Sequence, residues 1–260
     1  MKLIHISDLH FHRNPQDNRA ADALLAAIQQ QYPNHTLIVT GDISDDGTEW
    51  QFANALKALT PFQGRVFIAP GNHDFGAMGN FYSEERARRF DQMLSVPLQQ
   101  GGTFTGDSTP VVNFVSDGTD TVMLIALDTN LETVDPFDFA CGEVGAPQLA
   151  ALRTILCEPS NAQYTKVLFF HHHLFIHNDP FMELKDAREV KRAIYGKVDV
   201  VLFGHKHGLG TWHSAGGTQL ILASDSSPET QRAREIEIKG KQITPREVSL
   251  KPGGKKKAGK

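Results

Sequence analysis

Nine side chains able to hold a metal or move a proton fall in five short clusters of this chain: Asp8 with His10, Asp42, Asn72-His73-Asp74, His171, and His205 with His207. Carboxylate oxygen combined with imidazole nitrogen suits Mn, Fe, Co or Zn, whereas a Mg or Ca site would be all oxygen and a structural zinc would use thiolates. Asp8, His10, Asp42, Asn72, His171, His205 and His207 are too many ligands for one ion. Two ions roughly 3.5–4 Å apart, sharing one bridging carboxylate, fit the set. Residues two apart in an extended segment point to the same side, which places Asp8 and His10 to hold one ion, and His205 with His207 repeats that spacing. A single histidine at a strand end reads as a hydrogen-bonded surface residue, but five coincident clusters do not.

The elements that must carry these residues follow α/β logic, with short Val/Ile/Leu runs alternating with helix-period segments. Strands are expected at residues 2–7, 36–40, 65–69, 121–127, 166–170 and 198–203, most of them apolar throughout and so buried on both faces. Helices are expected at 18–31, 48–59, 83–93, 146–156 and 186–195. A late run of strands is expected at 218–223, 235–239 and 242–248, with a turn at 239–241 and Pro245 marking the last as an edge strand. Five of these strands run into the clusters named above. Ligands of α/β sheets bind at the carboxyl ends of strands, so the Asp, Asn and His residues should gather along one rim.

Length and composition bound the rest. The chain has 260 residues, is 40% hydrophobic and 22% charged, and carries a net charge of −4. That is an ordinary globular protein with no reason to be disordered over most of its length, and one large α/β domain over 1–250 accommodates it. No apolar run approaches the roughly 20 residues that span a bilayer. An aspartate and two histidines within the first ten residues argue against a signal peptide, so a cytoplasmic location is expected. Cys141 and Cys157 form no close motif and are read as reduced thiols. Residues 251–260 hold five lysines and no large apolar side chain, and are expected to be a disordered basic tail on an acidic body. His5 reads as a core histidine and His35 as a surface one. His12, His177 and His213 are candidates for substrate contact, and His172 and His173 have no settled role.

The series Asp8-x-His10, Gly41-Asp42, Gly71-Asn72-His73-Asp74, a strand-terminal His171 and Gly204-His205-x-His207 resembles, in order and over nearly the whole chain, the signature of the calcineurin-like metallophosphoesterase superfamily. The resemblance implies a four-layer αββα sandwich. It implies that Asp8, His10, Asp42 and His207 hold one metal, that Asp42, Asn72, His171 and His205 hold the other, and that Asp42 is the bridge. It also implies a catalytic pair, His73 reaching the substrate and Asp74 orienting its ring and keeping it protonated.

Departures narrow the branch. Protein phosphatases of the superfamily carry an Arg shortly after Gly-Asp, and purple acid phosphatases a metal-binding Tyr three residues after the bridging Asp. Here the stretch is Gly41-Asp42-Ile43-Ser44-Asp45-Asp46-Gly47. This looks like the class III cyclic-nucleotide phosphodiesterases and related bacterial glycerophosphodiesterases, except that His171-His172-His173-Leu174 stands where those enzymes usually have two histidines followed by prolines. The implied activity is hydrolysis of small phosphodiesters, 3',5'-cyclic nucleotides first and glycerophosphodiesters next. Two divalent or mixed-valence ions would lower the pKa of a bound water toward 7, giving hydroxide for in-line attack. Two carboxylates against two divalent ions leave the site net positive, which draws an anionic ester into an acidic protein. A small phosphodiester is thus the expected partner, with a homodimer as the expected assembly and no membrane or nucleic acid. A nuclease of the superfamily would add a capping domain and coiled-coil machinery after the core. A non-enzymatic scaffold would have lost ligands, and every ligand position is filled.

Overall fold

The computed structural model describes residues 1–106, 109–131, 140–176, 179 and 181–251. In chain order its strands are β1 (Lys2–Ile6), β2 (Thr36–Thr40), β3 (Val66–Ala69), β4 (Gly76–Ala77), β5 (Phe81–Tyr82), β6 (Val111–Ser116), β7 (Thr121–Ala126), β8 (Thr165–Phe169), β9 (Val200–Phe203), β10 (Gly210–Ala215), β11 (Thr218–Ala223), β12 (Arg232–Lys239) and β13 (Gln242–Ser249). The helices are α1 (Arg19–Gln31), α2 (Glu49–Leu59), α3 (Asn72–Phe75), α4 (Glu84–Phe90), α5 (Ala146–Cys157), α6 (Ala187–Ile194) and α7 (Ser227–Thr230).

One sheet has the order β13-β12-β1-β2-β3, the other β10-β11-β9-β8-β7-β6, and β4 pairs only with β5. The period-two alternation of side chains explains how two sheets become four layers. On β8, Val167 and Phe169 join the core that also contains β1–β3 and the buried faces of α1 and α2. Their neighbours Leu168 and Phe170 join a second core with Leu149 and Leu152 of α5 and Val190 and Ile194 of α6. The same split runs through β7, β9 and β11, so this sheet lies against the first sheet on one face and against α5 and α6 on the other. β1–β3 are parallel and buried on both faces. Right-handed crossovers stepping in one direction across a sheet put α1 and α2 on the same side, opposite the second sheet. The result is the αββα sandwich.

The expected strands are present to within two residues of their expected ends except β12, which begins three residues early, and β13, which contains Pro245, is an edge strand as its proline requires. Four strands were not anticipated: the two-residue β4 and β5, and the longer β6 and β10. Both β6 and β10 are edges whose residues are partly exposed, among them Asn113 and Phe114 of β6 and His213 of β10, so neither shows an unbroken apolar run. The helix expected at 83–93 is α4 followed by a wider π turn at Asp91–Ser95. There the buried Asp91 carboxylate accepts hydrogen bonds from the backbone N–H of Phe104 and Thr105, serving a neighbouring loop as well as its own turn. His177 and the tail beyond Lys251 lie outside the described residues. No helix among the described residues is long and apolar enough to cross a membrane.

Candidate metal centre

The parallel strands end on one rim, and the backbone turns sharply there. Asp8, His10, Asp42, His205 and His207 all adopt the left-handed conformation, at φ values of 57°, 45°, 48°, 74° and 51°. Each such residue costs about 1–2 kcal/mol relative to ordinary backbone, and clusters of them mark sites whose geometry is imposed by the surrounding structure. The extended pairing expected for Asp8 with His10 and for His205 with His207 is therefore corrected. The residues of each pair are swung round by left-handed kinks beyond the strand ends. The kinks are held by backbone bonds between loops, from Asp8 N–H to Gly41 O at 3.2 Å and from His10 N–H to Asp42 O at 2.9 Å. Gly41, at φ 86°, has no room for a side chain, since a Cβ there would stand 2.6 Å from His171 Nδ1.

This backbone brings the expected ligands together. Ligand atoms of Asp8, His10 and His207 lie within 4.8 Å of one another, as do those of Asp42, His171 and His205, and those of Asp42, His10 and His73. Asp42 stands between the outer groups, with Oδ2 3.2 Å from His171 Nε2 and 3.8 Å from His10 Nε2. His171 Nδ1 donates to Thr40 O at 2.8 Å, which turns Nε2 inward, 3.1 Å from His205 Nδ1, as the atom for a metal. Asn72 Nδ2 donates to Gly79 O at 3.0 Å, which leaves its Oδ1 as the atom for a metal.

The donor set fits two transition-metal ions. Asp8 Oδ2, His10 Nε2, Asn72 Oδ1 and His205 Nε2 are buried without a hydrogen-bond partner, and buried polar atoms are ordinarily paired. Four such orphans around two buried carboxylates are what cation ligands look like from the protein side.

The electrostatics agree. Burial alone would depress the imidazole of His171, but the Asp42 charge and hydrogen bond outweigh it and raise it to about 9. His10 is likewise raised to about 9, against burial, by Asp45, Asp42 and Asp8. His205 goes the other way, pushed to about 3 by burial and the neighbouring His171. Burial opposes ionisation of Asp42, yet His171, His73 and His10 hold its carboxyl well below the usual range. In the metal-free protein, protons on His10 and His171 thus take the place of cations.

Both imidazoles have folded values above their unfolded value near 6.5, so the stabilisation they give the metal-free fold is complete below about 6.5 and is lost as pH rises through about 9. Ligation requires them neutral, so metal affinity should rise between pH 6 and 9 by up to about tenfold per pH unit for each proton displaced. Chelator competition across that range measures this, and a pH-independent affinity would contradict it.

His73 lies beside the bridge. Its backbone N–H donates to Asp42 Oδ1 at 3.0 Å, and its ring stands edge-on to His10 with centroids 4.8 Å apart. Asp74 does not orient that ring. Its carboxylate is buried and accepts from the N–H groups of Ile43, Ser44 and Gly71 and from the Ser44 hydroxyl, tying the Asp42 loop to the start of α3. Burial and the nearby Asp42 charge push its carboxyl up to about 6. The group orienting His73 is the Asp45 carbonyl, which accepts from Nδ1 at 2.8 Å and leaves Nε2 facing the site, as an acceptor in the neutral ring and as a proton donor in the imidazolium.

Asp45 is a site residue that the sequence did not single out. Its side chain stands 3.6 Å from His10 Nδ1 and 3.3 Å from His12 Nδ1, fixing His10 from behind in a carboxylate–histidine arrangement. The adjoining His10 imidazole, and less strongly His12, holds its carboxyl below the usual range against burial. The available signal was an acid three residues after Asp42. His172 is buried behind the centre, with Nδ1 2.7 Å from the Thr129 hydroxyl, and His173 packs edge-on against Phe203 and Trp212. Both read as supports for the loop. His5 is a core histidine bonded to the Thr40 hydroxyl, His35 pairs with Glu235, and His213 sits exposed on the edge strand β10.

The profile of the calcineurin-like phosphoesterase family matches residues 1–209, which contain every ligand described above. The chain belongs to that family. Calcineurin-like phosphoesterases use a dinuclear divalent metal centre, and the Asp/His groups here are placed for one. Among curated proteins, the chain is 24% identical over 221 residues to the 3',5'-cyclic adenosine monophosphate phosphodiesterase CpdA of Haemophilus influenzae, covering 80% of this chain and 70% of that protein. It is 37% identical over 79 residues to a probable cyclic nucleotide phosphodiesterase of Coxiella burnetii, a match spanning 28% of this chain and only 32% of that protein. Among solved structures, a dimetal phosphatase of Danio rerio superposes with a TM-score of 0.69 at 15% identity, covering 96% of this chain and 99% of that one. A purple acid phosphatase of yellow lupin superposes with a TM-score of 0.61 at 10% identity, covering 96% and 51%. At such identities these two structures speak for the fold alone.

Proposed function

We propose that this calcineurin-like phosphoesterase hydrolyses small phosphodiesters, with 3',5'-cyclic nucleotides as the first substrate class and glycerophosphodiesters as the alternative. The observation that carries the reading is the placement of Asp42 between two ligand groups. In the proposed assignment Asp8, His10, Asp42 and His207 hold one ion, and Asp42, Asn72, His171 and His205 hold the other. When bound, the two ions supply charge neutralisation at the phosphoryl oxygens and a water activated for in-line attack. The protein's own residues do the rest. Asp45 and the Thr40 carbonyl aim His10 and His171, Asn72 is set by Gly79, and Asp74 ties the Asp42 loop to α3. His73, with Nδ1–H engaged by the Asp45 carbonyl, acts as the imidazolium, gives its Nε2 proton to the leaving oxygen and is left neutral.

The names of the CpdA and Coxiella relatives favour cyclic nucleotides over other diesters. Mn, Fe, Co and Zn all suit the mixed oxygen and nitrogen donors. A screen of the metal-loaded protein against cyclic nucleotides, glycerophosphodiesters, nucleotide sugars and single-stranded DNA tests the substrate class. A clear preference for DNA would replace this reading with a nuclease. The same preparation, sized by light scattering, tests assembly as a homodimer in the cytoplasm-type buffers in which the enzyme is proposed to work.

Residues 1–250 are proposed to be the catalytic domain. The chain is still packed at Leu250, which is buried and donates its N–H to Gln231 O at 2.8 Å. Truncation after Leu250 should leave turnover of small diesters and the melting temperature nearly unchanged. Loss of either would show that the lysine-rich tail takes part in the site or in its assembly.

A further inference from the structure

The β4–β5 hairpin is too short to be stable by itself, yet its turn touches two residues of the centre. Asn72 Nδ2 donates to Gly79 O at 3.0 Å, and this bond decides which way the amide faces. Were it lost, the side chain could rotate and withdraw Oδ1 from the position in which it is buried without a partner. Gly79 also closes on His73, since a Cβ at this position would stand 2.6 Å from His73 Nε2, the atom assigned to proton donation. The turn therefore forms one wall of the space available to the leaving group.

The turn's own conformation is unfavourable. Met78 has φ 55° and Gly79 φ 73°, and left-handed backbone at a long side chain such as Met78 needs external support. Within the hairpin the support is slight, a bond from Gly79 N–H to Gly76 O at 3.4 Å and one from Asn80 N–H to Ala77 O at 3.1 Å. The stronger hold comes from outside. Asp46 Oδ1 accepts the Met78 N–H at 2.9 Å. Asp46 is itself fixed through its backbone, with its N–H given to Gln51 Oε1 at 3.0 Å and its carbonyl accepting Arg86 Nε at 2.8 Å. A rigid segment following the bridging Asp42 is thus linked by one side chain to the turn that sets Asn72 and walls His73.

We propose that Asp46 is a positioning residue for this centre. By pinning the turn at Met78 it fixes the Asn72 amide for metal binding and the distance of the turn from His73, without itself touching metal or substrate. The proposal rests on the reading that Asn72 is a ligand and His73 a proton donor, and it adds the element that holds both.

The test compares wild type, Asp46→Ala and Asp46→Asn in two measurements: metal affinity by chelator competition, and kcat/KM on bis(p-nitrophenyl) phosphate. Asp46→Ala should weaken one of the two metals by about tenfold and lower kcat/KM by about 10–100-fold, the usual range for a group that orients a ligand. Asp46→Asn keeps an Oδ1 acceptor and should stay within about threefold of wild type in both. Wild-type metal affinity in Asp46→Ala would overturn the proposal, as would equal losses in the two variants, which would point to charge and not to the hydrogen bond. If Asp46→Ala fails to fold, the near-isosteric Asp46→Asn still decides, because a tenfold metal loss there contradicts the pinning. If the wild type cleaves no diester at all, the functional reading fails, while the metal affinities continue to judge the role of Asp46.

Discussion

Asp42→Asn should lose more activity than any other single substitution in this protein. The variant keeps side-chain volume and an oxygen to accept the His73 N–H, now 3.0 Å from Asp42 Oδ1, so α3 should remain in place. It removes the negative charge that raises His171 and His10 and that the two ligand groups share. With the bridge gone, at least one ion should be lost or loosely held. The stabilisation a metal gives to developing phosphoryl charge is worth several kcal/mol, which corresponds to about 10³–10⁴-fold in rate. Elemental analysis and kcat/KM on the same preparation check both halves, with His207→Ala as the comparison. His207 faces Asp8, with Nε2 3.3 Å from Oδ1, and should weaken mainly one ion. Two full equivalents of metal in Asp42→Asn would refute the bridge.

His73→Ala is expected to separate proton donation from metal binding. Bound ions can neutralise the phosphoryl oxygens, but a poor leaving alkoxide still needs a proton, and His73 Nε2 is the atom placed to give it. The variant should keep its metals and lose roughly 10²–10⁴-fold on cyclic or alkyl diesters, as expected when general acid catalysis is removed. It should lose less on bis(p-nitrophenyl) phosphate, whose leaving group needs little help. Measuring kcat/KM for both substrate types in wild type and variant decides it. Equal losses would mean that His73 positions substrate or stabilises phosphoryl charge, and its assignment as proton donor would be wrong.

The residues of this centre could be read from the sequence because they sit at strand ends, and the strands announce themselves as runs such as Thr36–Thr40 and Val200–Phe203 that are buried on both faces. What could not be read was how the chain turns beyond those ends. Alternation along an extended segment suggested how Asp8 and His10 would share an ion. The backbone instead kinks at both residues, because the Asp8 and His10 N–H groups are drawn to the carbonyls of Gly41 and Asp42. The resemblance implies Asp74 as the ring's partner, but three backbone N–H groups from two loops compete for its carboxylate and win. The role passed to the Asp45 carbonyl, and a main-chain group carries no side-chain signature. Asp45 and Asp46 act through contacts to His10 and to Met78 that exist only once loops far apart in sequence meet. The edge strands β6 and β10 escaped notice for the opposite reason, since partial exposure removes the apolar run that marks a central strand.

We propose that two ions held around Asp42 make this protein a phosphodiesterase. The most direct measurement is a titration of metal-free protein with Mn²⁺, following hydrolysis of bis(p-nitrophenyl) phosphate against equivalents added. Activity should be negligible without metal, should rise as the second equivalent binds, and should saturate at two per chain. Full activity at one equivalent, hydrolysis without added metal, or no hydrolysis at any loading would contradict it.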